Sequence, residues 1–256
     1  MSISFTEQLA DQHELQIKRT IQDLERRIVA LISGALNEQD IITTQIAIEL
    51  RTDIKRFINE TFTTTADSIV REYDRSVESF MREFGKLNIP ENFKFLTQVD
   101  ADIITQLKYQ SFAGFEQIAN RYLTEISANV YQNAIAGKPF VDMVKDIRGL
   151  LTGDVDRIGR PMTMYASQIA HDSLLQFDGQ FTVYKAKEAG IDRYRYVGTL
   201  VKDSRDHCVK YLNRVLSENE IRLIWQRNWS GKAEGDPFVV RGGYRCRHKF
   251  EPVVED

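Results

Sequence analysis

The sequence predicts an α+β protein: long amphipathic helices over most of its length and a small β-containing module at the C-terminal end. Three observations predict this. Apolar residues recur at three- and four-residue steps through most of the chain, the period of a helix with one buried face. From Tyr194 the period shortens to two, as in a half-buried strand. Both cysteines and two of the four histidines fall in the last quarter, on two segments some forty residues apart.

The first helix is expected from Phe5 to about Leu36. Ile17, Ile21, Leu24, Ile28, Leu31 and Ala35 form a seam that needs a partner, either a helix of the same chain or a second copy in a coiled coil. Helical spacing continues through Ile42, Ile46, Leu50, Ile54 and Phe57, then through Ile69, Tyr73, Val77, Phe80, Phe84 and Leu87. Asn88-Ile89-Pro90 ends it, because proline lacks the amide a helix interior needs. Two further stretches follow, Leu96 to Leu107 and Phe115 to Val130, the second closed by Gly137-Lys138-Pro139. Phe140 to Leu151 reads as a short helix, and Gly153 to Pro161 as a loop. Asp154 and Asp156 in that loop are expected to be solvated turn formers rather than cation ligands.

A long helix is expected from Thr163 to Ala189, stopped by Gly190. It carries His171-Asp172, read as a surface or packing pair, while His13 on the first helix is read as solvated. A strand follows at Tyr194 to Leu200, and a second is expected to include Tyr244, Cys246, His248 and Phe250. Between them, Ser217 and Glu220 have the spacing of a capping box, and residues 228–236 form a polar loop before Pro237. The domain boundary is placed near residue 160: a helical region over 1–160 for partner docking or oligomerisation, and a module over 161–256.

With 42% hydrophobic and 28% charged residues and a net charge of −3, the chain has an ordinary globular composition that needs no metal or disulfide as a staple. Residues 192–256 hold 13 Lys+Arg against 10 Asp+Glu, leaving the preceding part at −6. That imbalance permits a phosphate-contacting face without demanding one. No apolar run approaches the roughly 20 residues that span a bilayer, and the first residues lack a signal-peptide pattern. Synthesis in the cytoplasm, with no membrane partner, is the expectation. In that compartment two cysteines are thiols or metal ligands more often than a disulfide.

Asp203-Ser204-Arg205-Asp206-His207-Cys208 and Gly242-Gly243-Tyr244-Arg245-Cys246-Arg247-His248 are the segments that carry chemistry. Cys208, Cys246, His248 and His207 are candidate ligands for structural Zn2+, since thiolate and imidazole suit that ion and a closed site would clamp two distant segments. Two neighbouring thiols, a disulfide and a catalytic cysteine remain alternatives. The adjacency of His207 and Cys208 means that one of the two should point away. Arg241, Arg245, Arg247 and Lys249 make an alternating basic edge on the expected last strand, suited to DNA or an acidic protein, or simply a strand edge protected by charge. No phosphate loop, dinucleotide fingerprint, HExxH or GxSxG occurs.

Taken in order, Tyr196-Val197-Gly198-Thr199, then Asp203 to Cys208, then Cys246-Arg247-His248-Lys249-Phe250-Glu251-Pro252-Val253 resemble the phage Mu F-like head morphogenesis family. The matching stretch runs from about Ala166 to Val253, about a third of the chain, with Lys187-Glu188-Ala189-Gly190-Ile191 at the family's helix stop. Asp203 and Arg205 fall on its structural motif. Ile169-Ala170-His171-Asp172 stands where an Arg-Thr-Glu type motif is expected, and Arg241 to Tyr244 where a histidine often precedes the final cysteine. The resemblance implies a non-enzymatic minor capsid protein of the virion, acting in head assembly with the portal protein or the major capsid protein and in some cases with phage DNA. Two other functions are weighed beside it: a nuclease or modifying enzyme using His207 and Cys208, and a zinc-stabilised DNA-binding module.

Overall fold

A computed structural model describes residues 4–153 and 160–254, and the expected loop carboxylates Asp154 and Asp156 lie outside them. The architecture is α+β: long helices with a three-stranded antiparallel sheet near the C-terminus. In chain order the helices are α1 (Phe5–Ser33), α2 (Thr44–Phe57), α3 (Thr64–Arg71), α4 (Tyr73–Phe84), α5 (Gln98–Ile135), α6 (Phe140–Leu151) and α7 (Met162–Glu188). The remainder comprises β1 (Arg193–Gly198), α8 (Asp206–Tyr211), β2 (Val215–Ser217), α9 (Glu218–Trp225), α10 (Pro237–Val240) and β3 (His248–Pro252).

The chain packs as two compact units, one of Met1–Gln12, Val70–Ser111 and His171–Asp256, the other of His13–Ile69 and Phe112–Ala170. This division does not follow the expected cut at residue 160. Each unit is assembled from segments far apart in sequence, and the long helices α1, α5 and α7 each supply residues to both.

In the unit of His13–Ile69 and Phe112–Ala170, Ile17, Ile21, Leu24, Ile28 and Ile32 of α1 are fully buried. The buried stripe reaches Ile32 rather than the expected Leu31 because an α-helix has 3.6 residues per turn, so a strict seven-residue seam drifts off the packed face. His13, expected in solvent, is 1% exposed. Between α2 and α3 the chain makes a π-helical turn, Ile58–Thr63. Leu50, Ile54, Ile58, Phe62 and Ala66 are all buried and follow one another at steps of four. Each such step exceeds the α-helical turn by about 0.4 residue, and the wider π turn brings the stripe back to the packed face. Phe62 meets Phe115 edge-on at 6.2 Å. Where two helical stretches were expected, α5 runs unbroken for 38 residues. Gly114 at the join sits against Ile169 at ordinary packing distance and leaves the helix intact.

In the other unit, buried polar pairs join the segments. Tyr73 and Ser173 hydroxyls lie 2.6 Å apart, and Asp178 accepts hydrogen bonds from Ser76 at 2.8 Å and Thr6 at 3.3 Å. Lys185 of α7 pairs with Asp100 of α5 at 3.1 Å, with both side chains buried. Asp100 also accepts the Thr97 amide at 2.6 Å, capping its own helix. Gly190, at φ 72°, stops α7: its amide bonds to Lys187 O and that of Ile191 to Ala186 O, satisfying the last carbonyls. The chain then enters the sheet, of order β2-β1-β3. Tyr196 pairs with Phe250 and Gly198 with His248, so Tyr196 and His248 share the buried face. A Cβ on Gly198 would lie 2.5 Å from Arg247 O, which explains a glycine where β1 and β3 approach this closely.

The expected second strand is shorter and later than its sequence pattern. β3 begins at His248, while Tyr244 and Cys246 lie in turns. β2 and α8 were not foreseen. The capping box is present: Ser217 Oγ accepts the Glu220 amide and the Glu220 carboxylate accepts the Ser217 amide.

Candidate metal centre

Cys208 is placed by α8. A turn precedes it in which Ser204 Oγ accepts the Val201 amide at 2.7 Å, with Asp203 exposed at its tip. Arg205, the residue before α8, donates to Tyr244 O at 2.8 Å and lies against Gly231, where a Cβ would come within 2.7 Å of its Nε. Arg205 thus ties the first segment to the second. Within α8 the three-residue step from Cys208 to Tyr211 puts both on the buried face.

Cys246 is delivered by two consecutive turns. Gly243 N bonds to Val240 O at 2.8 Å, with Arg241 at φ 53° and ψ −123°, and Cys246 N bonds to Gly243 O at 3.2 Å, with Arg245 at φ 54°. Positive φ costs a non-glycine residue roughly 1–2 kcal/mol, so two such arginines need compensation. Asp172 supplies it. Its carboxylate accepts the Arg245 amide at 2.9 and 3.1 Å and lies 3.8 Å from the Arg241 guanidinium, which is 1% exposed. The charge-assisted hydrogen bond from the Arg245 amide contributes about 1.5–3 kcal/mol, which offsets much of the strain. Trp229 Nε1 donates to Gly242 O at 2.9 Å, and Trp225 Nε1 donates to Arg241 O. His171-Asp172 is thus no surface pair: both residues are buried, and Asp172 holds the loop that carries Cys246.

The two segments meet at a buried group of Cys208, Cys246 and His248, whose ligand atoms all lie within 4.8 Å of one another. Cys208 Sγ is 3.9 Å from Cys246 Sγ, and Cys246 Sγ is 3.7 Å from His248 Nδ1. Both cysteines are free thiols at this separation. The Gly242 amide donates to Cys246 Sγ at 3.2 Å. The hydrogen bond from Cys208, with His248 and Arg241 adding to it against burial, holds the Cys246 thiol well below its ordinary pKa. The same hydrogen bond and burial raise that of Cys208. Two thiol sulfurs and an imidazole nitrogen that converge in a buried pocket can bind a metal ion.

His207 is not part of this group. Its ring stacks on Trp229 at 3.7 Å and meets Trp225 edge-on at 4.3 Å. Burial lowers its pKa to about 4. Consecutive residues on α8 point about 100° apart, so with Cys208 facing the metal group His207 faces the aromatic cluster.

The basic edge is likewise reassigned. Arg241 is buried, and Arg247 pairs with Glu7 at 3.2 Å and Asp11 at 2.9 Å. Lys249 lies 3.6 Å from Asp178; burial opposes its charge, but Asp178 and Glu251 hold its pKa above the ordinary lysine value. Of the four, Arg245 alone has an exposed side chain. Only Lys249 of the four lies on β3, and the carboxylates that pair with Arg241, Arg247 and Lys249 lie on α1 and α7, far away in sequence.

Three residues of the site were not read from the sequence. Tyr196, fully buried, places its hydroxyl 3.5 Å from each sulfur. Gly242 leaves room for the thiols: a Cβ there would lie 2.4 Å from Cys208 Sγ and 2.8 Å from Cys246 Sγ. Asp172 enters the sequence reading only as half of a surface or packing pair. For the first, the sequence offered only the two-residue alternation of Tyr194, Tyr196 and Gly198. The close approach at Gly242 leaves no signal in the sequence.

Comparison with protein-family models, with curated proteins and with solved structures finds no match to this chain.

Proposed function

We propose that the chain is a minor head protein of a tailed phage, acting in head assembly through a helical docking region and a zinc-clamped C-terminal module. The observation that carries this reading is the convergence of Cys208, Cys246 and His248. These residues lie on the two motifs that resemble the Mu F-like head morphogenesis family, and a shared metal group gives both motifs one purpose. Zinc suits the donor set. With Zn–S near 2.3 Å and Zn–N near 2.0–2.1 Å, a tetrahedral ion sets S···S about 3.8 Å and S···N about 3.6 Å apart. The separations here are 3.9 and 3.7 Å. When bound, zinc would supply a structural crosslink rather than catalysis, and the thiols would release their protons as they ligate it.

The proposed partners are the portal protein or the major capsid protein, with the virion as the site of action. The module's contact is assigned to protein rather than DNA, because Arg241, Arg247 and Lys249 are engaged by carboxylates of the same unit. The test is to purify proheads and virions from phage carrying this gene and from a phage deleted for it. The chain is expected in wild-type particles, with head assembly impaired in the deletion. Its absence from both proheads and virions would overturn the reading.

A further inference from the structure

We propose that Tyr196 Oη is the fourth donor of the metal group, closing Cys208, Cys246 and His248 into a four-coordinate site of two sulfurs, one nitrogen and one oxygen. The proposal rests on the metal reading above and adds a ligand to it.

The first argument is distance. Tyr196 Oη lies 3.5 Å from Cys208 Sγ and 3.5 Å from Cys246 Sγ. A tetrahedral ion with metal–sulfur bonds near 2.3 Å and a metal–oxygen bond near 2.0 Å places sulfur and oxygen about 3.5 Å apart. Two S···O separations, one S···S at 3.9 Å and one S···N at 3.7 Å each match a tetrahedral edge, and the Cys208 and His248 ligand atoms lie within 4.8 Å of each other.

The second argument is the phenol's surroundings. Tyr196 is completely buried, and a buried tyrosine hydroxyl usually finds a good hydrogen-bond partner. Here it faces two sulfurs at the same distance, and a single O–H can donate to only one of them at a time. Equal distances to both sulfurs fit an oxygen that shares a third atom with them better than a hydroxyl bonded to either.

The third argument is support. The Tyr196 ring stacks on the His248 ring at 5.1 Å and 14° and packs against Trp225 and Phe250 at 5.5 and 4.9 Å. The β1–β3 register puts Tyr196 and His248 on one face, so the sheet delivers oxygen and imidazole together. Gly242 lines the same group: a Cβ there would lie 2.4 and 2.8 Å from the two sulfurs and 3.2 Å from Tyr196 Oη, so sulfurs and phenol oxygen converge on one point of the backbone.

The test uses the full chain loaded with Co2+ in place of Zn2+. The wild type is expected to give a thiolate-to-cobalt charge-transfer band with the intense visible bands of a tetrahedral ion. In Tyr196→Phe, which keeps the ring packing and the other three ligands, the charge-transfer band should remain. The visible bands should shift and weaken, and affinity in a chelator competition should fall roughly tenfold or more, as loss of supporting groups at metal sites does. Visible bands and affinity identical to wild type would overturn the tyrosine ligand alone. A wild type without any charge-transfer band would overturn the metal reading as well. Should Tyr196→Phe fail to fold, the ultraviolet difference spectrum of the wild type on zinc loading decides: a tyrosinate band beside the thiolate bands is expected, and thiolate bands alone would refute the proposal.

Discussion

Replacing Gly242 with alanine tests the packing of the thiol pair while keeping every candidate ligand residue in the chain. The backbone there does not require glycine for its conformation; only space does. The new Cβ would lie 2.4 Å from Cys208 Sγ, 2.8 Å from Cys246 Sγ and 3.2 Å from Tyr196 Oη. Carbon and sulfur in contact need more than 3.5 Å, so both sulfurs must retreat by about 1 Å into a buried, fully packed setting. Overpacking of this kind costs typically 1–3 kcal/mol, and with two sulfurs displaced we expect about 3 kcal/mol. Both tryptophans of the chain, Trp225 and Trp229, lie in the module, so intrinsic fluorescence during urea unfolding reports on this region alone. The expected result is a lower midpoint with an unchanged slope, the signature of lost stability rather than altered compactness. Gly34→Ala is the control, because a Cβ at Gly34 meets only ordinary contacts at 3.5 Å and beyond. A Gly242→Ala midpoint within error of the control would refute the close-packed thiol pair.

Asp172→Ala should cost about 3–5 kcal/mol, since it leaves the Arg241 guanidinium buried without its carboxylate and frees the Arg245 amide; Asp172→Asn should cost less, and equal effects in urea unfolding would count against the carboxylate's role. Asp100 is expected to make stability acid-dependent. Burial opposes its charge, but hydrogen bonds from Thr97 and the Lys185 ammonium lower its pKa below the ordinary 3.8. Its contribution is therefore full above about pH 4, the unfolded value, and is lost as pH falls through the folded value. Asp100→Asn should flatten the stability–pH curve in that acid range, and an unchanged curve would refute the assignment. Ser217→Ala removes one half of the capping box at the start of α9 and should lower stability by about 1 kcal/mol in the same fluorescence assay; no change would mean that the box contributes nothing.

The helices were legible because burial follows period: the α1 stripe, the break at Pro90, the stop at Gly190 and the Ser217 capping box are all local signals. The π turn at Ile58–Thr63 was legible in principle, in four successive four-residue steps, but those steps also read as ordinary amphipathicity. The start of the last strand differs from the sequence reading because alternation at Tyr244, Cys246 and His248 does not distinguish a strand from two tight turns that happen to place Cys246 inward. The metal group was half legible. Cys208, Cys246 and His248 declare themselves by residue type, whereas His207 could be excluded only once α8 was known to be helical. Ion pairs escaped altogether, since the Arg247 partners Glu7 and Asp11 lie more than 230 residues away and nothing local marks them.

The most direct test of the account is metal content and free-thiol titre on one sample of the full chain, beside Cys208→Ser and Cys246→Ser. The account predicts about one zinc per wild-type chain, lost in both variants, with the wild-type thiols reacting only after a chelator is added. Two freely reacting thiols and no bound metal, even after incubation with Zn2+, would contradict it.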